Sequence, residues 1–373
     1  ATTGSPKQYA NPSPQSPAGA ARRHLKRAAR GGPVPLMLRA PRLQWLLVPF
    51  VLLALILLVR FLLVGVYTMP AESVSMAPTL FPADEGGDRW VLAWLGAYWF
   101  DGPSRGDVVV FRMPGQASPL VKRVMVLPGE RWWIEDGDLF VDGARLVKDR
   151  ALLDRVAVPL LGASDFEGGA DGMRRAEGLH RGYLLPDGAP SRAPGTVRDV
   201  VVRVQVRAAS ADPSFSLQIE EKGRARAVLS LRGGGGRGRG FASVDGAEVA
   251  KGDAFTIRGG EEVEVWLTNA DGVLRAEVAG REVVRAAFRP GWIHTVAFLA
   301  EGVEVVEAAV ARDVVYEADD RQERTVEDGH YLVLGDNSRE SRDSRAFGPV
   351  PADALLGRVF AVAWPPSRVR RVR

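Results

Sequence analysis

The sequence predicts a mainly β protein behind one N-terminal membrane-spanning helix, and three observations carry that reading. There is a single long apolar run, from Trp45 to Val59, with a shorter continuation from Phe61 to Tyr67. Past it, apolar residues come in short runs closed by Gly, Pro, Asn or Asp, as in Asp107–Phe111 and in Leu120–Leu127 before Pro128-Gly129, which is how strands joined by turns read. Between Asp199 and Ala309 nine such runs recur with polar and apolar residues alternating, the pattern of an antiparallel sandwich.

Residues 1–42 are rich in Pro, Ala, Ser and Arg and poor in aromatic and β-branched residues, so they cannot bury enough apolar surface to offset ordering; a disordered basic cytoplasmic tail is expected. The apolar run from Leu43 reaches Arg60 after 17 residues, near the lower limit for a bilayer-crossing helix. A cleaved secretory signal is the competing reading. The run is at or beyond the usual upper limit for such a signal, and no clear small-x-small site follows, so 43–60 is read as a retained anchor. Arg30, Arg39 and Arg42 precede the run, whereas Arg60 and then Glu72 follow it, which orients the N-terminus to the cytoplasm and residues 61–373 outside. Arg60 is expected to snorkel to the headgroups.

Charge follows the same division. Residues 1–71 hold nine basic residues and no acidic one, leaving 40 basic against 45 acidic in the rest. The basic pI of about 9.5 thus describes the tail and argues against a nucleic-acid-binding surface. Cysteine is absent, which removes disulfides, thiolate metal sites and a cysteine nucleophile.

Along the chain, 61–150 reads as the first part of a β core, in which Trp90, Trp94 and Trp99 serve either as ordinary core or as an aromatic surface at the membrane interface. Residues 151–195, rich in Gly, Pro, Asp and Arg, read as a linker or loosely ordered lobe, 196–312 as an inserted β-sandwich, 313–364 as the second part of the core and 365–373 as a basic tail, solvated or touching anionic lipid. Gly233–Gly238 matches G-x-G-x-x-G formally, but without a βαβ context it is a loop between strands.

Chemistry narrows by what is missing. No G-x-S-x-G elbow and no H-E-x-x-H occurs, and among the four histidines only His330 stands near a core loop. What remains is serine with lysine. Ser75, in Glu72-Ser73-Val74-Ser75-Met76-Ala77-Pro78, reads on its own as part of a solvated loop, and Lys122 on its own as an edge-strand or snorkelling residue. Together they have a chemistry: a hydroxyl needs a base, and a lysine becomes one when an apolar strand desolvates its ammonium.

Four blocks then resemble bacterial type I signal peptidase, the membrane-bound Ser–Lys leader peptidase of family S26. They are Ser73-x-Ser75-Met76-x-Pro78-Thr79-Leu80, Arg105-Gly-Asp-Val-Val-Val-Phe111, Lys122-Arg123-Val-x-x-Leu127-Pro128-Gly129, and Gly335-Asp336-Asn337-Ser338-x-x-Ser341-x-Asp343-Ser344-Arg345. The resemblance covers about 43–148 and 312–364. It implies an antiparallel β catalytic core of the signal-peptidase type, with Ser75 as nucleophile, Lys122 as general base, and the Ser73 hydroxyl and Ser75 N–H as the oxyanion hole. Ser341 is expected to hold the Lys122 amine, with Asp343, Arg345, Gly335, Asp336 and Arg123 as its structural support. Ala71, Met76, Leu80, Leu120 and Val121 are expected to line a shallow cleft for small side chains such as Ala at the −1 and −3 positions. The implied protein is a hydrolase of the bacterial cytoplasmic membrane that needs no metal or organic cofactor; its partners are signal peptides of exported preproteins, the lipid bilayer and the secretion machinery, with no nucleic acid. Glu72 departs from the proline often found there, and Arg339-Glu340 from an Asp-Asn form. The insert faintly resembles a lectin or laminin-G-type jelly roll, with no ligand to name. Two other functions stand beside this one: an envelope binding protein built on an inactive peptidase core, and a peptidase specialised for one substrate.

Overall fold

A computed structural model describes residues 42–373 apart from 84–86, 169–172, 178, 180, 187–188, 190, 192–196, 211, 223, 235–236, 290 and 319. The tail expected over 1–42 lies, but for its last residue, outside the described residues. A helix covers Arg42–Leu63, with Pro49 inside it; its side chains at residues 47–58 are exposed and Leu63 is half-buried. Among the described residues no helix is long and apolar enough to cross a membrane. The Arg60 side chain lies outside the described residues.

The mainly β architecture follows from the runs noted above. Strands Val108–Phe111 and Leu120–Val126 are apolar almost throughout and take the middle of an antiparallel eight-stranded sheet, where both faces are covered. Val64–Thr68, Trp90–Trp94 and Leu355–Trp364 extend the sheet on one side, His330–Leu334 and Val350–Pro351 on the other. A four-stranded sheet made of Arg131–Glu135, Asp138–Val141, Ala144–Arg145 and Asp320–Thr325 accompanies it.

The sandwich has a seven-stranded and a six-stranded sheet. Period-two alternation decides which side chains meet: in Val200–Ala208, the residues Val200, Val202, Val204 and Val206 are at most 1% exposed and pack with Phe215, Leu217 and Phe298. Two-residue hairpins repeat one solution, an Asp-Gly or Ala-Gly pair with positive φ at both positions. They occur at Asp136-Gly137, Asp142-Gly143, Asp245-Gly246, Asp271-Gly272 and Ala279-Gly280, matching the twist of the flanking strands.

Two segments differ from their sequence reading. The stretch read as a linker supplies helix Arg150–Val156, strand Val158–Gly162 to the six-stranded sheet, and Glu167–Gly168 and Arg174–Ala176 to the seven-stranded one. These pieces are too short, and too rich in Gly and Arg, to show periodicity. The basic tail is not merely solvated: Arg370–Arg371 pairs with Ala361 and Val362, and Arg368 and Arg370 grip the fully buried carboxylate of Asp88 at 2.6–3.0 Å. Burial alone would raise the Asp88 carboxyl, but hydrogen bonds from Arg370 and from Phe81 N–H hold it below its ordinary value.

The sandwich is fastened to the core by a buried cluster. Lys148 Nζ donates to Asp271 Oδ1 and Asp313 Oδ2, both at 2.7 Å, with all three side chains at most 2% exposed. Burial disfavours the ammonium, yet the two carboxylates raise Lys148 well above its ordinary pKa. We expect Lys148→Met, which strands two buried carboxylates, to lower stability by about 3–5 kcal/mol in denaturant unfolding; a loss below about 1 kcal/mol would refute this role.

Candidate active site

In strand Leu120–Val126, neighbouring residues point to opposite faces, so the Lys122-Arg123 pair sends two cations in two directions. Arg123 goes to the structural side. Its Nε and Nη2 meet Asp336 Oδ1 and Oδ2 at 2.8 and 2.7 Å, its Nη1 donates to Gly106 O at 2.7 Å, and Thr79 Oγ1 donates to the same Asp336 at 2.5 Å. Lys122 goes to the serine. Its Nζ lies 2.7 Å from Ser75 Oγ and 3.0 Å from Val121 O, with Lys122 4% and Ser75 8% exposed.

Ser75 is held in a run of tight turns: Ala77 N–H donates to Val74 O at 3.0 Å and Leu80 N–H to Met76 O at 2.8 Å. From the other side Asn337 N–H donates to Ser75 O at 3.1 Å and Asn337 Nδ2 to Val74 O at 3.2 Å. Ser73 Oγ stands 3.4 Å from Ser75 Oγ. Burial is the largest influence on the Lys122 amine and lowers its pKa from 10.5 to about 8; the carboxylates of Asp343 and Asp336 oppose the fall and Arg345 adds to it. The amine is therefore half neutral near pH 8, where an ordinary lysine is almost wholly protonated.

The Gly335 loop is tied internally. Asp343, fully buried, receives Arg345 Nε and Nη2 at 2.8 Å each and Gly335 N–H at 2.9 Å, while Arg345 also reaches Ser338 O at 2.7 Å. Ser341 differs from expectation. Its Oγ is buried with no hydrogen-bond partner among the described residues, and Lys122 takes the Val121 carbonyl as second acceptor instead. The hydroxyl nests against Gly335, where a Cβ would lie 2.1 Å from Ser341 Oγ and 2.6 Å from Ser75 O.

A cleft of about 430 Å³ opens over the pair. Ser73, Ser75, Met76, Leu120, Val121 and Lys122 line it as expected, and Tyr67–Pro70 with Ser118-Pro119 form walls that the sequence reading missed. Two expected lining residues are elsewhere. Leu80 is fully buried in the core with Met69 and Val91, because the turn at Pro78-Thr79 directs it inward, and Ala71 sits exposed in the turn closed by Ser73 N–H on Pro70 O. Asn337 and Thr79, the two residues that tie the Gly335 loop to the serine turn, were visible only as members of their blocks.

The model of the family described as signal peptidase, peptidase S26, matches residues 42–162 and 295–364. The chain belongs to that family. Its match breaks off inside the sandwich and resumes at strand Thr295–Glu301, so the middle of the insert is outside it. Among curated relatives, probable signal peptidase I-1 of Synechocystis sp. is 34% identical over 117 residues, 28% of this chain and 55% of the relative. Signal peptidase IB of Staphylococcus aureus is 50% identical over 42 residues, 11% and 22% of the two chains. Mitochondrial inner membrane protease subunit 2 of Danio rerio is 47% identical over 47 residues, 13% and 26%. The chain thus spans about half or less of the length of these relatives. Among solved structures, sheep galectin-11 in complex with glycerol aligns with 31% of this chain and 94% of its own at 10% identity and a TM-score of 0.25, a likeness too slight to bear on the insert.

The close approach at Gly335 yields a test. Gly335→Ala should cost about 1–3 kcal/mol in denaturant unfolding, since it forces a methyl against Ser341 Oγ and the Ser75 carbonyl. Gly168→Ala, at a site with nothing within 4 Å, should stay within about 0.5 kcal/mol.

Proposed function

We propose that this chain is a membrane-bound endopeptidase that removes N-terminal signal peptides from exported preproteins after small residues, using Ser75 and Lys122. The observation that carries the reading is a desolvated amine of pKa about 8 lying 2.7 Å from a serine hydroxyl at the edge of an open cleft, in a member of the S26 family.

In this mechanism neutral Lys122 withdraws the Ser75 Oγ proton as Oγ attacks the scissile carbonyl carbon, forming the Oγ–C bond. The oxyanion that develops is met by the Ser73 hydroxyl and the Ser75 N–H, the kind of preorganised donor pair worth most in acyl transfer. Protonated Lys122 gives its proton to the departing amine as the C–N bond breaks. The acyl-enzyme is then hydrolysed by a water that the same amine deprotonates. Leu120, Val121 and Met76 give the cleft apolar walls beside Ser75, which suit a small apolar side chain such as Ala before the scissile bond.

The membrane reading draws on the apolar helix segment and on exposed aromatic surface. Trp90, Trp94, Trp99 and Phe100 are 41–93% exposed; Trp90 packs at a 40° tilt against the exposed Trp364 across paired strands, with ring centroids 5.3 Å apart. Amphipathic rings so displayed suit a bilayer interface. On this reading residues 43–60 anchor the chain with its N-terminus in the cytoplasm, and the peptidase works at the outer face of the bacterial cytoplasmic membrane. An inactive-core scaffold fits the molecule less well, because a binding protein has no use for a buried lysine whose partner is a serine hydroxyl.

Membranes carrying the wild type should cleave a labelled preprotein after an Ala-x-Ala site, and Ser75→Ala and Lys122→Ala should each reduce the rate by at least about 10³-fold. Processing by either variant at the wild-type rate would sink the dyad. Because the base must be neutral and its pKa is lowered to about 8, kcat/KM should rise about tenfold per pH unit below 8 and level off above it. A flat profile from pH 6 to 9 would contradict a lysine base.

A further inference from the structure

Behind the Gly335 loop lies a second cavity, of about 300 Å³, at the lower end of the size range of small-molecule sites. Its walls come from two places: Arg181–Tyr183, Ser191 and Arg312 on one side, and Asp336–Glu340 on the other. Arg312 closes strand Val303–Arg312 and is 7% exposed. Its Nε donates to Gly182 O and its Nη1 to Asp313 O, both at 2.9 Å, so two neutral carbonyls hold the guanidinium.

No carboxylate among the described residues pairs with Arg312. The adjacent Asp313 spends its oxygens on Lys148 Nζ and on its neighbour Val314 N–H, each at 2.7 Å. A buried cation with no carboxylate bonded to it is costly, and a guanidinium has five donors, of which these bonds use two. Burial pushes Arg312 down to about 10; Asp313 relieves it in part, and Arg181, at the same cavity, pushes it further down.

The other charged groups at the cavity are Arg181, which stacks over the Trp292 ring and lies 3.9 Å from Glu317, together with Arg339, Glu317, Glu340 and Asp336. Asp336 is neutralised by Arg123 at 2.7 Å, leaving three arginines facing two carboxylates. Ser191 Oγ accepts from Tyr183 N–H at 3.0 Å, which leaves its own proton to donate.

We propose that this cavity is a binding site for a small oxyanion, a carboxylate or a phosphate, with Arg312 as its principal ligand and the Ser191 hydroxyl as a neutral donor. The planar guanidinium fork fits two oxygens of such a group. An occupant also touches the segment whose Asn337 holds Ser75 and Val74, so the site adjoins the serine turn without being part of the cleft.

The test is calorimetric titration of the full chain in detergent with inorganic phosphate and with succinate, against chloride at equal ionic strength. Saturable binding of at least one oxyanion by the wild type, weakened at least about tenfold in Arg312→Gln and less in Ser191→Ala, is the expected result. Should Arg312→Gln fail to fold, Arg312→Lys keeps the charge without the fork and should weaken binding as well. The same titration on Ser75→Ala separates this site from the peptidase reading, because binding should persist where cleavage is lost. Absence of binding by both probes, equal affinity in the Arg312 variants, or equal competition by chloride overturns the site.

Discussion

The contact on which the rest of the site depends is the Arg123–Asp336 pair, 1% and 4% exposed and joined by two parallel hydrogen bonds across 213 positions of sequence. Removing either partner leaves an uncompensated buried charge, so the pair is far harder to break than a surface bridge. One guanidinium gathers four segments: the Gly335 loop through Asp336, the turn after Ser75 through Thr79, the Arg105–Phe111 block through the Gly106 carbonyl, and the C-terminal segment through the Arg373 carbonyl. Since Arg123 and Lys122 are neighbours on opposite faces of one strand, fixing the first fixes where the second emerges. The 2.7 Å approach of Lys122 to Ser75 is thus set from the far side of the sheet.

The insert obeys a separate constraint. Lys148, before the sandwich, and Asp313, after its last strand, are in contact although 165 positions apart. The chain therefore leaves and re-enters the core at one place, and a long excursion between two adjacent points costs little loop entropy beyond that of a short one. The Asp271-Gly272 hairpin adds its carboxylate to the same lysine, so the sandwich is fixed in orientation as well as tethered. This explains how so large an addition coexists with an intact Ser–Lys geometry.

Those two constraints bear on what the sequence made legible. The core blocks were readable because each is a local pattern with a chemical reason, and the sandwich because strands such as Val200–Ala208 and Ser214–Glu221 alternate over most of their length. Ser75 and Lys122 became meaningful only as a pair. The strands at 158–162 and 174–176 were not readable, being short pieces paired to strands over a hundred residues away, nor was 167–168, a two-residue piece paired with 174–175. Nor was the seating of Arg370 on Asp88, since a basic terminal segment looks the same whether it is solvated or paired. Leu80 and Ala71 were misplaced because the turns at 70–73 and 76–80, not their spacing from Ser75, decide which side chain faces the cleft. Ser341 shows the same limit: being in the loop put it near the dyad, but the bonds of Lys122 depend on which acceptors the buried amine meets first.

The tuning of Lys122 follows from how its neighbours are neutralised. Two carboxylates, Asp343 and Asp336, stand close enough to favour the ammonium and oppose the fall in its pKa. Each is matched by a bidentate arginine, Asp343 by Arg345 and Asp336 by Arg123, which offsets part of its pull on the ammonium. Arg345 moreover acts directly on the amine in the opposite sense. Desolvation is then the influence left without a full counterweight, and it brings the pKa to about 8 rather than leaving it near 10.5. The arginines of the Gly335 loop and of the lysine strand thereby act twice, as fasteners of the fold and as partners of the two carboxylates that favour the ammonium.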